Sequence, residues 1–178
     1  MTDQLSARDW LDQGLETLAK NGFTALKAEP LAKAMGVSRG SFYWHFADIA
    51  AFHAALLRHW SEVATERVIA GLDATPKDRD ALSVLLRGAF AARPALENAV
   101  RTWATVDAAA RTAVQAIDVR RIGYIEVLLK QAGLPPDAAR ARTQIIYWAF
   151  VGYALSEQSL PKARQQAVVE ELLRMAVS

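Results

Sequence analysis

The residue types able to do chemistry in this chain gather in one stretch, Met35–Phe46, MGVSRGSFYWHF. It interleaves a cation (Arg39), two hydroxyls (Ser38, Ser41) and three polar-edged aromatics (Tyr43, Trp44, His45) with the apolar Val37, Phe42 and Phe46. Such a set recognises rather than reacts. A guanidinium can pair bidentately with O6 and N7 of guanine. A tyrosine hydroxyl can donate to phosphate while its ring meets a thymine methyl. Serine hydroxyls at a helix start suit a phosphate, and Gly40 leaves room for close approach of the backbone. Elsewhere no Gly-rich phosphate loop, nucleophile elbow or paired-histidine motif can be read. There is no cysteine, hence no thiolate and no disulfide. His53 and His59 are six apart, poor spacing for two ligands on one helix face. No catalytic residue, metal or cofactor is expected.

Two short helices would position this set. The first covers about Ala28 to Met35, with Pro30 tolerated in its first turn. The second runs from the cap Ser38 to about His45. Gly36 between them supplies a left-handed backbone, and Ala32 is small where the helices would cross. Leu31, Met35, Val37 and Phe42 would lock the pair. Phe42 and Phe46, four apart, share an inward face and leave Arg39, Tyr43 and Trp44 outside. This is the pattern of a helix-turn-helix, whose second helix enters the major groove.

The remaining elements are also helical, because apolar positions recur at helical spacing and no period-2 pattern is sustained. A first helix over Ser6–Asn21 carries the stripe Trp10, Leu11, Gly14, Leu15, Leu18. A long helix follows the cap Asp48 to about Ala70. Five more are expected at Asp78–Ala92, Pro94–Thr105, Asp107–Ala132, Pro136–Gln158 and Pro161–Val177. The fold class is therefore all-α with about nine helices. A three-helix, helix-turn-helix head occupies residues 1–47. A helical bundle for ligand binding and dimerisation occupies 48–178, with 48–71 as the connecting helix.

Charge and hydropathy narrow the partners. No apolar run reaches the roughly 18 residues of a membrane span. The polar N-terminus is no signal peptide, so a cytoplasmic location is expected. Net charge is +2, but residues 1–70 hold seven basic against eight acidic side chains. Nucleic-acid binding by the head must therefore rest on local placement, not bulk charge.

In the bundle, IIYWAFVGYAL (Ile145–Leu155) is apolar all round and needs cover on more than one side. With the amphipathic last helix it suits a dimer interface of Ile145, Ala149, Gly152, Leu155, Val168, Leu172 and Met175. The alternative is the central core helix of a monomer. The aromatics Phe90, Trp103, Tyr124, Tyr147 and Trp148 read either as core or as the lining of a pocket for an apolar or aromatic ligand. Asp107 with Arg111, and Asp118 with Arg121, have ion-pair spacing.

GVSRGSFYWHF, preceded by LAKAM and followed by a long helix, resembles the TetR-type transcriptional regulators, whose signature is close to G-V-S-x-G-T-hydrophobic-Y-x-H/Y-F. Ser41 stands for the threonine. The length and the head-plus-bundle layout extend the likeness over the chain. Val100–Asp107 and Ile117–Arg121 resemble, more weakly, the C-terminal domain of one branch. The resemblance implies a homodimeric, ligand-responsive repressor on a palindromic double-stranded DNA operator, with contacts from Arg39, Ser41, Tyr43, Trp44 and His45. It also implies a four-helix dimer interface from the last two helices, and release of DNA by a small effector. Two positions depart from the pattern. Leu26-Lys27 replaces a capping Ser or Thr, although Lys27 could reach phosphate as a point charge. Ile49 replaces a Lys or Arg at the start of the fourth helix. Both suggest weaker or more salt-sensitive DNA binding. They also motivate a rival reading, a helical small-molecule or protein-binding module that has lost its operator.

Overall fold

Ser6 starts the first helix with a reciprocal cap. Its Oγ accepts from the Asp9 N–H at 3.3 Å, and the Asp9 carboxylate accepts from the Ser6 N–H at 2.7 Å. These bonds hold the Asp9 carboxyl below its usual pKa. The computed structural model describes residues 5–74, 80–91, 94–156 and 160–178. Within them every regular element is helical. These are α1 (Ala7–Asn21), a 3-10 turn (Phe23–Ala25), α2 (Ala28–Ala34), α3 (Arg39–Tyr43), α4 (Ile49–Ser61), a π turn (Glu62–Glu66) and α5 (Arg67–Asp73). They continue as α6 (Ala81–Ala89), α7 (Ala95–Ala104), α8 (Ala108–Gln131), α9 (Pro136–Leu155) and α10 (Lys162–Val177). With α4, the π turn and α5 taken as one helix, the described residues hold the nine helices expected.

The long helix expected from Asp48 to Ala70 is thus interrupted. Asp48 does cap it, accepting from the Ala51 N–H at 2.7 Å. Thirteen residues on, the Ser61 hydroxyl donates to the Leu57 carbonyl at 3.0 Å, a back-bond that weakens the local helix ladder just before the π turn. The expected helix ends at Asp78, Ala92 and Gln158 and the breaks at Pro76 and Arg93 lie outside the described residues.

The described residues divide into two compact units, one within Met1–Ala64 and Ala95–Gln115, the other within Thr65–Pro94 and Ala116–Ser178. That division falls inside the π turn. In the first unit α1 packs on α4 and α7. Its core holds Trp10, Leu18, Leu31, Phe42, Phe52, Leu56, Trp60, Val100 and Trp103. The buried His59 ring meets the Asp12 carboxylate, tying α4 to α1. His53 bonds the Leu26 carbonyl at 3.0 Å and lies beside Phe23 and Trp103, whose rings stack at 4.6 Å. Two cross-chain links thus use the histidines that offered no metal spacing.

The second unit is built on a separate apolar cluster from α5, α6, α8, α9 and α10, including Leu72, Leu86, Phe90, Ile125, Leu129, Ile146 and Val169. Arg120 forks onto Glu66 at 3.2 and 3.3 Å, and Arg121 Nε donates to the Thr65 hydroxyl at 2.9 Å, so α8 grips the end of the π turn. Asp107 and Arg111 do not serve as the expected pair. Asp107 accepts from the Ala110 N–H at 2.8 Å, capping α8, while Arg111 Nε donates to the Ala104 carbonyl at 3.2 Å. The cap needs the carboxylate turned back onto the helix start, away from the following turn.

Gly14 shows how tightly α1 seats on α4. A Cβ there would lie 2.7 Å from Phe52 Cζ and 2.9 Å from Leu56 Cδ1, both on fully buried side chains. Overpacking costs about 1–3 kcal/mol, against a gain in helix propensity of about 1 kcal/mol. Gly14→Ala should therefore lower stability by about 1 kcal/mol in urea unfolding; a more stable variant would show that the helices can separate freely.

Candidate nucleic-acid interface

The turn between α2 and α3 is set by backbone bonds. The Val37 N–H donates to the Ala32 carbonyl at 3.0 Å and the Gly36 N–H to the Lys33 carbonyl at 3.2 Å, the two bonds of a Schellman stop. Gly36 has φ +69°, the left-handed conformation that the stop requires. Chain direction then reverses into α3, which ends at Tyr43 rather than His45. One further turn follows, with the His45 and Phe46 N–H groups both on the Phe42 carbonyl at 3.1 Å. Ser38 takes the N-cap position in extended backbone but makes no side-chain cap bond. The first bond is instead backbone, Ser41 N–H to the Ser38 carbonyl at 3.0 Å, which leaves the Ser38 hydroxyl exposed.

Phe42 fixes α3. It is fully buried, with ring centroids at 5.4 Å from Trp10 and 5.3 Å from both Phe46 and Phe52. Leu31 and Ala32 are buried on α2, while Met35 and Val37, expected to be inside, are only half-buried. They sit in the turn, where one side of each faces solvent.

Around that anchor the outward set is exposed as expected. Trp44 is 84% exposed and Tyr43 46%, Arg39 and Gly40 are exposed, and Ser41 and His45 are half-buried. Arg39 and Tyr43 are partners. A guanidinium N–H donates to the Tyr43 hydroxyl at 3.1 Å, and the guanidinium carbon lies 5.6 Å from the ring centre. Lys27 occupies the N-cap of α2 with no side-chain cap bond, and its side chain is exposed. Ile49 opens α4 at the surface, where it offers no charge.

Of the five residues expected to line a ligand pocket, Trp103 lies in the first unit and Phe90, Tyr124, Tyr147 and Trp148 in the second. Trp103 is a core residue of the first unit, stacked on Phe23. Tyr124, Tyr147 and Phe90 are buried in the second unit. Trp148 is 66% exposed, since adjacent helical positions differ by about 100° and Tyr147 takes the inward one. Tyr147 donates to Asp118, and Tyr124 to Asp73 at 2.8 Å. Phe90 packs on Tyr153 at 5.2 Å between centroids, and its carbonyl accepts from Gln165. Thr65 and Asp73 are polar partners that no sequence reading found; they bond residues more than fifty positions away, and no local spacing signals that.

The residues expected at a dimer interface share the surface with Trp148. Ile145, Ala149, Gly152 and Leu155 on α9 are exposed, as are Val168 and Met175 on α10, with Leu172 half-buried. Positions 145, 148, 149, 152 and 155 make one stripe along α9 at three- and four-residue steps. The helix is therefore not covered all round by its own chain: one side carries Ile146 and Tyr147 into the core and the other is bare.

Comparison with known proteins fits this geometry. Residues 11–60 match bacterial regulatory proteins of the tetR family, a segment that contains α2, the turn and α3. A search of curated protein sequences found no match. Among solved structures, a protein from Rhodococcus sp. assigned to the TetR family of transcriptional regulators superposes with TM-score 0.69 at 20% identity, over 97% of this chain and 98% of that one. A protein from Saccharomonospora viridis assigned as a transcriptional regulator, in complex with choline, gives TM-score 0.73 at 15% identity over 94% and 95%. The transcriptional regulator FadR from Bacillus subtilis, in complex with stearoyl-CoA, gives 0.68 at 16% over 97% and 98%. At these identities the structures establish the fold. The tetR-family match is confined to residues 11–60, the segment that holds the helix-turn-helix.

Burial, and then the bond to Asp73, push the Tyr124 hydroxyl up to about 12. A raised folded-state pKa gives stability that is complete below the unfolded value near 10 and is lost as pH rises through 12. Wild type should lose up to about 2 kcal/mol relative to Tyr124→Phe between about pH 10 and 12, by unfolding at a series of pH values. Parallel pH profiles for the two proteins would contradict the assignment.

Proposed function

We propose that the chain is a homodimeric transcriptional regulator that binds a two-fold-symmetric operator through α2 and α3. One observation carries the reading: a helix anchored on the buried Phe42 holds Arg39, Tyr43 and Trp44 out to solvent. Buried anchoring fixes orientation, and exposed donors and rings are what a major groove reads. Residues 1–47 serve as the DNA-binding head and 48–178 as the ligand-binding and dimerisation domain. Arg39 reads guanine, Lys27 and Ser38 sit on phosphate, and Ser41, Tyr43, Trp44 and His45 complete the contact.

The bare stripe of α9 with Val168, Leu172 and Met175 of α10 supports pairing with a second copy. An apolar surface on two successive helices is self-complementary about a two-fold axis, and exposed Gly152 and Ala149 permit close helix approach. Two heads on one axis suit two half-sites. For the effector, the buried aromatics of the second unit support a small apolar or aromatic molecule, and similar folds hold small molecules as different as choline and stearoyl-CoA. Its binding favours the conformation with poor head spacing and releases DNA, so the protein represses until the effector arrives.

The rival reading, a module that has lost its operator, draws on the uncharged Ile49 and on the near-neutral first 70 residues. Fluorescence anisotropy against duplex from the chain's own upstream region separates the two. The operator reading expects binding that weakens steeply with salt and falls about 10-fold or more in Arg39→Ala. The rival expects no salt-dependent binding and no effect of that substitution. In sedimentation, wild type should run as a dimer and Ile145→Asp as a monomer. A wild-type monomer at tens of micromolar would remove the two-fold operator.

A further inference from the structure

The outward face of α3 is expected to act as separate contacts, yet its two strongest donors are joined. Arg39 and Tyr43 are four apart, so their side chains lie on one face of the helix. One guanidinium N–H ends on the Tyr43 oxygen at 3.1 Å while the same group lies over the ring at 5.6 Å. The Glu29 carboxylate of α2 also acts on Arg39, at longer range. The Tyr43 ring is itself held, edge-on to the buried Phe42 at 5.3 Å. The chain of support runs from core to surface: Trp10 and Phe52 hold Phe42, Phe42 holds the Tyr43 ring, and Tyr43 holds Arg39.

We propose that Tyr43 is a positioning residue for Arg39, and that through it the protein's preference for guanine depends on a tyrosine hydroxyl that touches no base. An unsupported arginine on an exposed five-residue helix samples many rotamers, and binding must freeze one of them. Stacking on Tyr43 removes most of that freedom in advance. It occupies one guanidinium donor and leaves the others of the planar fork to face the two acceptors of a guanine edge. The hydroxyl proton of Tyr43 stays free, because the oxygen accepts from Arg39 and its own O–H still donates. A phosphate oxygen is the natural acceptor, and a bond received from a cation polarises the O–H towards it. Base reading and backbone anchoring then rise and fall together.

The inference rests on the DNA-binding reading, and its test keeps the two apart. Without DNA, 15N relaxation at Arg39 Nε should show an ordered side chain in wild type and a mobile one in Tyr43→Phe, which keeps the ring and loses the hydroxyl. Equal mobility in the two proteins overturns the positioning role whatever the chain binds. With DNA, the probe is a duplex enriched by the wild-type protein from a randomised pool, made also with 7-deazaguanine, which lacks the N7 acceptor. Wild type should lose about 10-fold on a half-site guanine so replaced. Tyr43→Phe should lose less than about 3-fold, its discrimination being already gone. Tyr43→Leu, which also removes the ring, should discriminate no better. If Tyr43→Phe weakens both duplexes equally and keeps the wild-type ratio, Tyr43 acts on phosphate alone and the proposal fails. A pool that yields no enriched sequence overturns the DNA-binding reading itself, and the proposal with it.

Discussion

Everything outward on α3 depends on the burial of Phe42. A helix of five residues cannot sustain itself, because nucleation costs more than so few bonds return. Its orientation comes from one ring inserted between Trp10, Phe46 and Phe52 at centroid distances of 5.3–5.4 Å. These partners come from α1, from the segment after α3 and from α4, so three separate parts of the chain fix the outward face of α3. The Schellman stop at Gly36 then decides the angle at which α3 leaves α2. Close seating of α1 on α4 at Gly14 keeps Trp10 and Phe52 where the ring needs them.

Much of this was legible from spacing alone. Phe42 and Phe46 are four apart and point inward; Arg39, Tyr43 and Trp44 are out of phase with them and point outward. The glycine at the turn and the aspartate before α4 carry unambiguous local chemistry. What spacing could not show was which of two local bonds a residue would choose. Ser38 stands where a cap belongs, yet the backbone closes the turn and its hydroxyl is left to solvent. Asp107 was equally able to pair with Arg111 or to cap α8, and the cap prevailed. The π turn has no apolar signature, because it alters backbone bonding without changing which residues are apolar.

In the second unit the limit was of another kind. The run Ile145–Leu155 is apolar at nearly every position, so composition could not divide it into faces. The fold does: Ile146 and Tyr147 go in, while Ile145 and Trp148 stay out. That moves Trp148 from the company of Tyr124 and Tyr147 to the stripe with Gly152 and Leu155. Trp103 lies on a helix of the first unit, in the core around Trp10. The polar bonds Tyr147–Asp118, Tyr124–Asp73 and Arg121–Thr65 give α8 a row of part-buried hydrogen bonds towards α9 and the segment around α5. Groups of that kind fix the orientation of helices, and they are also what an effector with polar atoms would have to compete with.

The central claim is that two copies of α3, each fixed by its own Phe42, read one piece of DNA from one side. Hydroxyl-radical footprinting of the wild-type protein on its selected duplex tests that most directly. The account predicts two protected patches related by a two-fold axis, with half-site centres about one helical turn apart or a whole multiple of it. A single patch without symmetry, or protection that spreads evenly along the duplex, would contradict it.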